Sequence, residues 1–315
     1  MTGLPVEFAC RLAAVPADRR WLIDGLWADQ AVGIVGGEPK CCKSFLALDM
    51  AVAVASGRPC LRRFRTAQSG RVLLFAAEDA LHVVRRRLDG ICQAAGVALA
   101  DLDIQVITAP TVRLDVAEDR ERLATTVQAL RPRLLVLDPF VRLHRIDENA
   151  AAEVAPLLAY LRDLQRRYQL AVVVVHHARK GAGKTRDGQA LRGSSEFHAW
   201  GDSNLYLRRH GDQLTLAIEH RAAASATGIP LALRVDEPHL ALEAVASAPR
   251  IVEPPALSPA DKVEHAIVQA GGPVALAALR QSCRMRTATL GQALADLTQQ
   301  GRIHKTSAGY QAVAR

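Results

Sequence analysis

The sequence of 315 residues has no long apolar run. No stretch reaches the roughly 18–20 consecutive apolar residues that a membrane-spanning helix needs, and the first residues lack the charged and then apolar pattern of a signal peptide. We therefore expect a cytoplasmic protein with no membrane partner. Half of the residues are hydrophobic, so the chain can bury large cores, and its length suits two domains better than one.

The sequence also lacks any C-x-x-C pair of cysteines. Its six cysteines are Cys10, Cys41, Cys42, Cys60, Cys92 and Cys283. The sequence thus offers neither a zinc-site pattern nor a disulfide framework, and we interpret these residues as reduced thiols. The formal net charge of +8 favours a polyanionic partner, although charge alone does not identify one.

The pattern of a phosphate-binding loop lies in residues 32–50, VGIVGGEPKCCKSFLALDM. A short apolar strand leads into a glycine loop and then a helical pattern. In the motif G-x-x-x-x-G-K-[ST], backbone N–H groups wrap the phosphates, the lysine reaches the β- and γ-phosphates and the hydroxyl binds Mg²⁺. The motif predicts ATP and Mg²⁺ as ligands. The predicted binding residues are Gly37, Glu38, Pro39, Lys40, Cys41, Cys42, Lys43, Ser44 and Phe45.

Cys42 is the one departure from this motif, because it stands where the motif has its second glycine. A side chain there costs about 1 kcal/mol or more if the backbone needs a positive φ, and close to nothing if the backbone is already helical. We expect nucleotide binding to survive and hydrolysis to be slower than with a standard loop.

Two later apolar strands end in carboxylates. Residues 71–77 (RVLLFAA) lead into Glu78 and Asp79, and residues 134–137 (LLVL) lead into Asp138. Because the carboxyl ends of parallel strands meet at one edge of a sheet, these side chains can lie beside the phosphate loop. We assign Glu78 as the group that aligns the attacking water, and Asp138, with Ser44, to the Mg²⁺ site. Asp79 suits the N-cap of the next helix.

A further strand, residues 171–175 (AVVVV), ends in His176 and His177. Two histidines at that edge favour a polar contact to the γ-phosphate, and we prefer His176 for it. The following residues 178–195 are rich in glycine and basic residues, which favours a loop that contacts a phosphate backbone; the alternative is a solvated loop. Upstream, Trp21 and Trp27 could stack on a base but more simply pack against the core.

The composition changes between residues 246 and 259, where four prolines predict an extended linker. We therefore divide the chain into residues 1–245, this linker, and residues 260–315. The last part predicts three short helices and a β-hairpin, the plan of a winged helix-turn-helix. Its arginines and lysines after Glu264 are Arg280, Arg284, Arg286, Arg302, Lys305 and Arg315. Such a module binds duplex DNA or contacts another protein.

Residues from about 21 to 207 resemble the RecA-like AAA-type ATPases related to the RepA-type hexameric replicative helicases of plasmids. The stretches that carry the resemblance are GGEPKCCKSFLALDMA, LLFAAED, LLVLDPFVRLH, VVVVHHARKG and LRGSS. The resemblance implies an α/β fold with a mostly parallel sheet and catalytic roles for Lys43, Glu78, Asp138 and His176. It also implies that Arg87 links Glu78 to conformational change.

The same resemblance implies a homo-oligomer, with a hexamer as the expected ring, and an arginine contributed by the neighbouring subunit. In the family, this arginine follows the RGSS motif at a fixed interval. In this sequence the residue at that interval is Asp202, and Arg208 and Arg192 remain alternatives. Single-stranded DNA would occupy the ring channel. We therefore expect a DNA-dependent ATPase motor in replication or mobile-element maintenance. The alternatives are an ATP-switched DNA-binding regulator and a signalling ATPase that binds no DNA.

Overall fold

The computed structural model describes residues 4–12, 16, 19–177, 196–236, 239–245, 259–283 and 285–312. The chain divides into two compact units, residues 1–247 and residues 248–315. Each unit has a hydrophobic core of its own. Among the described residues, no helix is both long and apolar enough to cross a membrane.

The first unit is built on a mixed sheet. The strands of this unit are β1 (Trp21–Ile23), β2 (Trp27–Ala28), β3 (Val32–Gly37), β4 (Val72–Ala76), β5 (Ile104–Val106), β6 (Leu134–Asp138), β7 (Ala171–His177), β8 (Ser203–His210), β9 (Gln213–His220), β10 (Ala226–Asp236) and β11 (His239–Ala244). Nine of the described strands pair in the order β11-β10-β9-β8-β3-β7-β6-β4-β5. The pairs from β8 to β5 are parallel, whereas β9, β10 and β11 add antiparallel pairs. The predicted α/β class with a mostly parallel sheet is confirmed.

The central strands β4, β6 and β7 are apolar except for the polar residues that end β6 and β7, because helices cover both faces of the sheet. The helices are α1 (Lys43–Ser56), α2 (Leu81–Ala95), α3 (Ala117–Leu130), α4 (Ala151–Tyr168) and α5 (Glu196–Trp200). In β7, Val173 and Val175 face the core that holds α1 and α2, whereas Val172 and Val174 face the core that holds α3, α4 and α5. This alternation decides which side of the sheet each side chain at a strand end occupies.

Strand β11 returns across α2, and this contact was not predicted from the sequence. Gly90 of α2 makes room for it, since a Cβ at that position would lie 2.7 Å from the Cβ of Leu240 and 3.0 Å from its backbone nitrogen. The antiparallel strands therefore hold α2, the helix that follows Glu78 and Asp79, against the sheet.

Strands β1 and β2 form an antiparallel hairpin that the sequence analysis also did not predict. Trp27 is fully buried and its Nε1 donates a hydrogen bond to Ala31 O at 3.3 Å. The ring of Trp21 lies edge-on to His220 with 4.8 Å between ring centroids. These contacts favour the packing interpretation of both tryptophans over base stacking.

The second unit contains α6 (Pro259–Gln269), α7 (Leu276–Cys283), α8 (Thr287–Gln299), β12 (Ile303–Thr306) and β13 (Gly309–Ala312). The three helices pack around Leu279, Leu290 and Leu297, and β12 pairs with β13 as an antiparallel hairpin. Arg302, counted above among the basic residues, forms ion pairs with Glu264 and Asp261. The predicted linker lies almost entirely outside the described residues.

Replacing Gly90 with Ala tests the contact between α2 and β11. Alanine is the better helix former by about 1 kcal/mol, but its Cβ would overlap Leu240, so we expect a loss of about 1–3 kcal/mol in the unfolding free energy of the first unit. Urea unfolding measures this change.

The matched control is Gly291→Ala in α8, where a Cβ would meet nothing within 4 Å. There we expect a gain of about 0.5–1 kcal/mol for the second unit. A gain at both positions would contradict the close approach of β11 to α2.

Candidate nucleotide-binding site

Strand β3 ends at Gly37, whose φ is +154°, and the loop to α1 follows it. A Cβ at Gly37 would overlap the backbone oxygen of Leu207 and the Sγ of Cys41. This position therefore accepts only glycine, because β8 passes directly beside the loop. The neighbouring strand thus fixes where the loop leaves the sheet.

Lys43 and Cys41 both turn toward the start of the same loop. The Nζ of Lys43 donates a hydrogen bond to Glu38 O at 2.8 Å, and the Sγ of Cys41 donates to the same oxygen at 2.7 Å. Lys43 is 5% exposed, and burial lowers its pKa. Since the loop closes around this amine, the ammonium is positioned to contact an anion that the loop encloses.

Helix α1 begins at Lys43, directly after Cys42. The first backbone hydrogen bond of the helix runs from Leu46 N to Cys42 O at 3.0 Å. The N–H groups of Lys43, Ser44 and Phe45 precede it and, as at any helix N-terminus, have no acceptor within the helix. Together with the positive end of the helix dipole they form an anion site.

Cys42 adopts the left-handed conformation, with φ +64° and ψ +26°. The backbone here needs a positive φ, so the cysteine carries the conformational cost that a glycine would avoid. Its Sγ accepts a hydrogen bond from Arg209 Nη2 at 3.8 Å. Arg209 lies on β8, and β8 therefore brings a cation to the phosphate-binding loop.

Asp138 ends β6, immediately beside the first turn of α1. It is 8% exposed and lines the same cleft as Ser44. Burial raises its pKa to about 6; the nearby carboxylates of Asp79 and Glu78 add to the rise, and Ser44 and Lys43 oppose it. A carboxylate and a hydroxyl at one point are the hard oxygen ligands that Mg²⁺ prefers.

Glu78 and Asp79 follow β4 at the same edge of the sheet. Arg142 Nε donates to Glu78 Oε1 at 2.8 Å, an ion pair in which both side chains are partly exposed. Asp79 was expected to cap α2, but the N-cap residue is Ala80 and no side chain caps the helix. Asp79 instead forms an ion pair with Arg87, because the carboxylate turns toward the helix face that carries this arginine.

Arg87 also lies over the ring of Phe45, with 5.2 Å from its Cζ to the ring centroid. The guanidinium therefore joins three elements: the loop after β4, α2 and the first turn of α1. This contact agrees with the expectation that Arg87 links the site to conformational change, although it does not test that role.

The structure does not bring His176 to this site. His176 is 1% exposed and faces the other side of the sheet, stacked on Phe197 with 4.3 Å between centroids. Its Nδ1 lies 4.0 Å from Glu148 Oε1. His177 lines the site instead. The signal that could have shown this was the alternation along β7, since residue 177 shares a face with Val173 and Val175.

These side chains enclose a cleft of about 340 Å³. It is lined by Lys40, Cys41, Cys42, Lys43, Ser44, Phe45, Glu78, Asp79, Arg87, Asp138, Val175 and His177. The donors and acceptors suit a Mg²⁺-bound polyphosphate: helix N–H groups and a buried lysine for phosphate oxygens, and the Ser44–Asp138 pair for the ion. Of the predicted catalytic residues, the cleft unites Lys43, Glu78 and Asp138.

The described residues do not identify which arginine, if any, completes a neighbouring subunit's site. Asp202, which occupies the expected interval, forms ion pairs with Arg162 and Arg221. Arg208 lies on β8, and Arg192 falls outside the described residues together with the rest of 178–195. Asp202 therefore has a structural role in joining α4 to the start of β8.

The strand, loop and helix arrangement, with a carboxylate on a neighbouring strand, defines the class of P-loop nucleotide-binding proteins. Residues 4–183 match the family model described as an AAA domain. Since this span is more than half of the chain, the protein belongs to that AAA family. The membership supports nucleotide binding, typically with Mg²⁺, and ATPase activity.

Replacing Cys42 with Gly should stabilise the first unit. Glycine adopts the left-handed conformation without the side-chain penalty, so we expect a gain of about 1 kcal/mol in the unfolding free energy. Cys42→Ala is the matched control, because alanine keeps a Cβ and should gain nothing. Urea unfolding of the wild type and the two variants measures these free energies. Equal unfolding free energies for the glycine and alanine variants would contradict a strained loop.

The raised pKa of Asp138 predicts a pH dependence of stability. Because the folded protein holds this proton more tightly than the unfolded chain, the Asp138 contribution to stability is lost as the pH rises from about 4 to about 6, by up to about 3 kcal/mol. Asp138→Asn removes this titration while keeping a side chain of nearly the same shape. Urea unfolding across this pH range, without nucleotide or Mg²⁺, should show the difference; parallel curves for the two proteins would refute it.

The two histidines of β7 should separate function from stability. We expect His176→Ala to lower the unfolding free energy by about 2 kcal/mol, because it removes a buried stacked ring. We expect His177→Ala to change stability by less than about 0.5 kcal/mol and to lower the rate of ATP hydrolysis about tenfold or more. The opposite assignment of the two effects would restore His176 as the residue that contacts the γ-phosphate.

Proposed function

We propose that the protein is a DNA-dependent ATPase that works as a ring-forming, helicase-like motor in replication or mobile-element maintenance. The observation that carries the proposal is the union of Lys43, Ser44, Asp138 and Glu78 in one cleft at the carboxyl edge of the sheet. These are the parts that a P-loop hydrolase needs: a phosphate cradle, a metal-binding pair and a carboxylate for water.

In the proposed reaction, the loop N–H groups and Lys43 hold the β- and γ-phosphates. Glu78 aligns the attacking water and receives its proton, and Arg142 holds the Glu78 carboxylate at 2.8 Å. Ser44 and Asp138 would hold a Mg²⁺ ion, which would neutralise part of the phosphate charge. We place His177, rather than His176, at the γ-phosphate. The protein's contribution is thus positioning and electrostatic stabilisation of a developing charge.

The DNA part of the proposal is supported by charge and by the second unit. The net charge of +8 favours polyanions, and three helices with a β-hairpin follow a winged helix-turn-helix plan. Arg286 and Lys305 are exposed, whereas Arg302 is engaged by Glu264 and Asp261. Single-stranded DNA in the channel of a homo-oligomeric ring, and duplex DNA on the second unit, are the proposed partners.

The leading alternative is an ATP-switched DNA-binding regulator that hydrolyses slowly and does not translocate. The left-handed Cys42 in the phosphate loop and the ion-paired Asp202 at the expected finger position favour it. A RecA-like signalling ATPase without DNA would leave the second unit as a protein-contact module.

Steady-state ATP hydrolysis with and without single-stranded DNA tests the proposal. We expect DNA to stimulate hydrolysis, Lys43→Ala to abolish it, and Glu78→Gln to lower it at least about 100-fold while nucleotide binding persists. Slow hydrolysis that does not change when single-stranded DNA is added, together with tight binding of duplex DNA, would support the regulator. Hydrolysis with no DNA binding of either kind would support the signalling ATPase.

A further inference from the structure

Arg209 reaches the phosphate-binding loop from the neighbouring strand. β8 runs parallel to β3, and Leu207 lies beside Gly37, the last residue of β3. Arg209 is two residues further along β8 and is therefore level with the loop. Leu205 and Leu207 pack in the core that holds α1. Since alternate residues of a strand share a face, the side chain of Arg209 leaves the sheet on the α1 side.

The backbone of β8 is held in this place from two sides. On one side it passes so close to the loop that the oxygen of Leu207 would lie 2.4 Å from a Cβ at Gly37. On the other side it pairs with β9, where Arg209 lies opposite Leu214. Strands are more precise supports for a binding side chain than loops are. The sheet therefore sets the position of Arg209, although the residue itself is exposed.

Two other arginines beside the cleft are already neutralised. Arg87 and Arg142 each form an ion pair with a carboxylate that lines the cleft. Arg209 is different, because within the described ranges it has no ion pair, and its Nη2 donates to a thiol, the Sγ of Cys42, at 3.8 Å. A thiol is a weak acceptor. Most of the donor capacity of this guanidinium is thus available to an anion.

The N-terminus of α1 is an unusual resting place for such a cation. Cys42 is the N-cap residue of this helix, and the positive end of a helix dipole favours anions and disfavours cations. The same loop also carries Lys40 and Lys43, which line the cleft. An anion bound among these groups would turn repulsion into attraction. The arrangement therefore favours a role for Arg209 in the phosphate-bound state of the loop.

We propose that Arg209 binds a phosphate oxygen of the nucleotide in the loop of its own chain, and that its guanidinium leaves the Cys42 thiol to do so. The guanidinium has five N–H donors in a planar fork that matches phosphate, which makes phosphate a better partner than a thiol. The movement is short, because Cys42 itself lines the cleft. This inference rests on the nucleotide-binding part of the proposed function, and it needs neither DNA nor a ring.

Cys42 and Arg209 then act in different states of the site. Without phosphate, the Cys42 thiol keeps the guanidinium beside the loop. With phosphate, Arg209 adds a charge-assisted contact to a loop that carries a side chain where the P-loop motif has glycine. The sequence alone did not show this pair, because the two residues are 167 positions apart in the chain.

Calorimetric titration of inorganic tripolyphosphate with Mg²⁺ tests the proposal on phosphate alone. We expect Arg209→Gln to weaken binding about tenfold. Arg209→Lys should weaken it less, because lysine keeps the charge but loses the fork. The matched control is Arg234→Gln, which removes the same charge from an exposed arginine of β10 and should bind as the wild type does. Equal affinities of Arg209→Gln and Arg234→Gln would overturn the proposal.

The second test separates phosphate binding from a structural role of the contact with Cys42. In a chain that carries Cys42→Gly, adding Arg209→Gln should still weaken tripolyphosphate binding about tenfold. An effect that disappears in this background would overturn the proposal, since Arg209 would then act only through the thiol. In urea without phosphate, we expect Arg209→Gln to unfold at the wild-type midpoint or above it, because no anion is lost. A lower midpoint with unchanged affinity would assign Arg209 a structural role instead.

The titrations distinguish this inference from the proposed function. Failure of the DNA-dependent reaction would leave the tenfold difference between the wild type and Arg209→Gln intact. Failure of this inference would appear as equal affinities for tripolyphosphate while DNA-stimulated hydrolysis persists. A wild type that binds no tripolyphosphate would overturn both.

Discussion

The burial of the Asp138 carboxylate at the end of β6 is the constraint on which the chemistry of the site depends, because it places an acidic side chain beside Ser44 and Lys43 of α1. Burial raises the pKa of Asp138 to about 6, so the fold makes the charged form of this carboxyl less favourable than it is in water. Lys43 compensates for part of this effect and a metal ion would compensate for more. Either a proton or a nearby cation therefore lowers the electrostatic cost of burying this carboxylate.

The parallel sheet brings residues from separate sequence motifs together in one cleft. β3, β7, β6 and β4 are neighbours in the sheet although they are far apart in the chain. His177 and Asp138 end their strands, Glu78 follows β4 by two residues, and Ser44 lies in the first turn of the helix after β3, so the four side chains converge at one edge of the sheet. Arg87 then connects this edge to α2, and Gly90 lets β11 hold the same helix from its far side. Changes at α2 therefore have a direct physical route to the phosphate site.

The strands and the phosphate loop were predictable because their signals are local: apolar runs, a glycine pair and carboxylates at strand ends. The choice between His176 and His177 needed the face alternation of β7, which the sequence contained but the first assignment did not use. The role of Asp79 was not predictable, since the local rule favours Asp over Ala at an N-cap, and only the structure shows that Asp79 pairs with Arg87 instead. The contact between β11 and α2 depends on distant pairing, and only the structure shows it.

The motor and the ATP-switched regulator both depend on how tightly the phosphate-binding loop, with Cys42 in a left-handed conformation, binds phosphate. Calorimetric titration of Mg²⁺–ATP into the wild type and into Ser44→Ala tests the central account most directly. The account predicts binding by the wild type, and a weakening of about tenfold or more in the variant that depends on Mg²⁺ being present. Equal affinities of the two proteins for Mg²⁺–ATP, or no binding by the wild type, would contradict it.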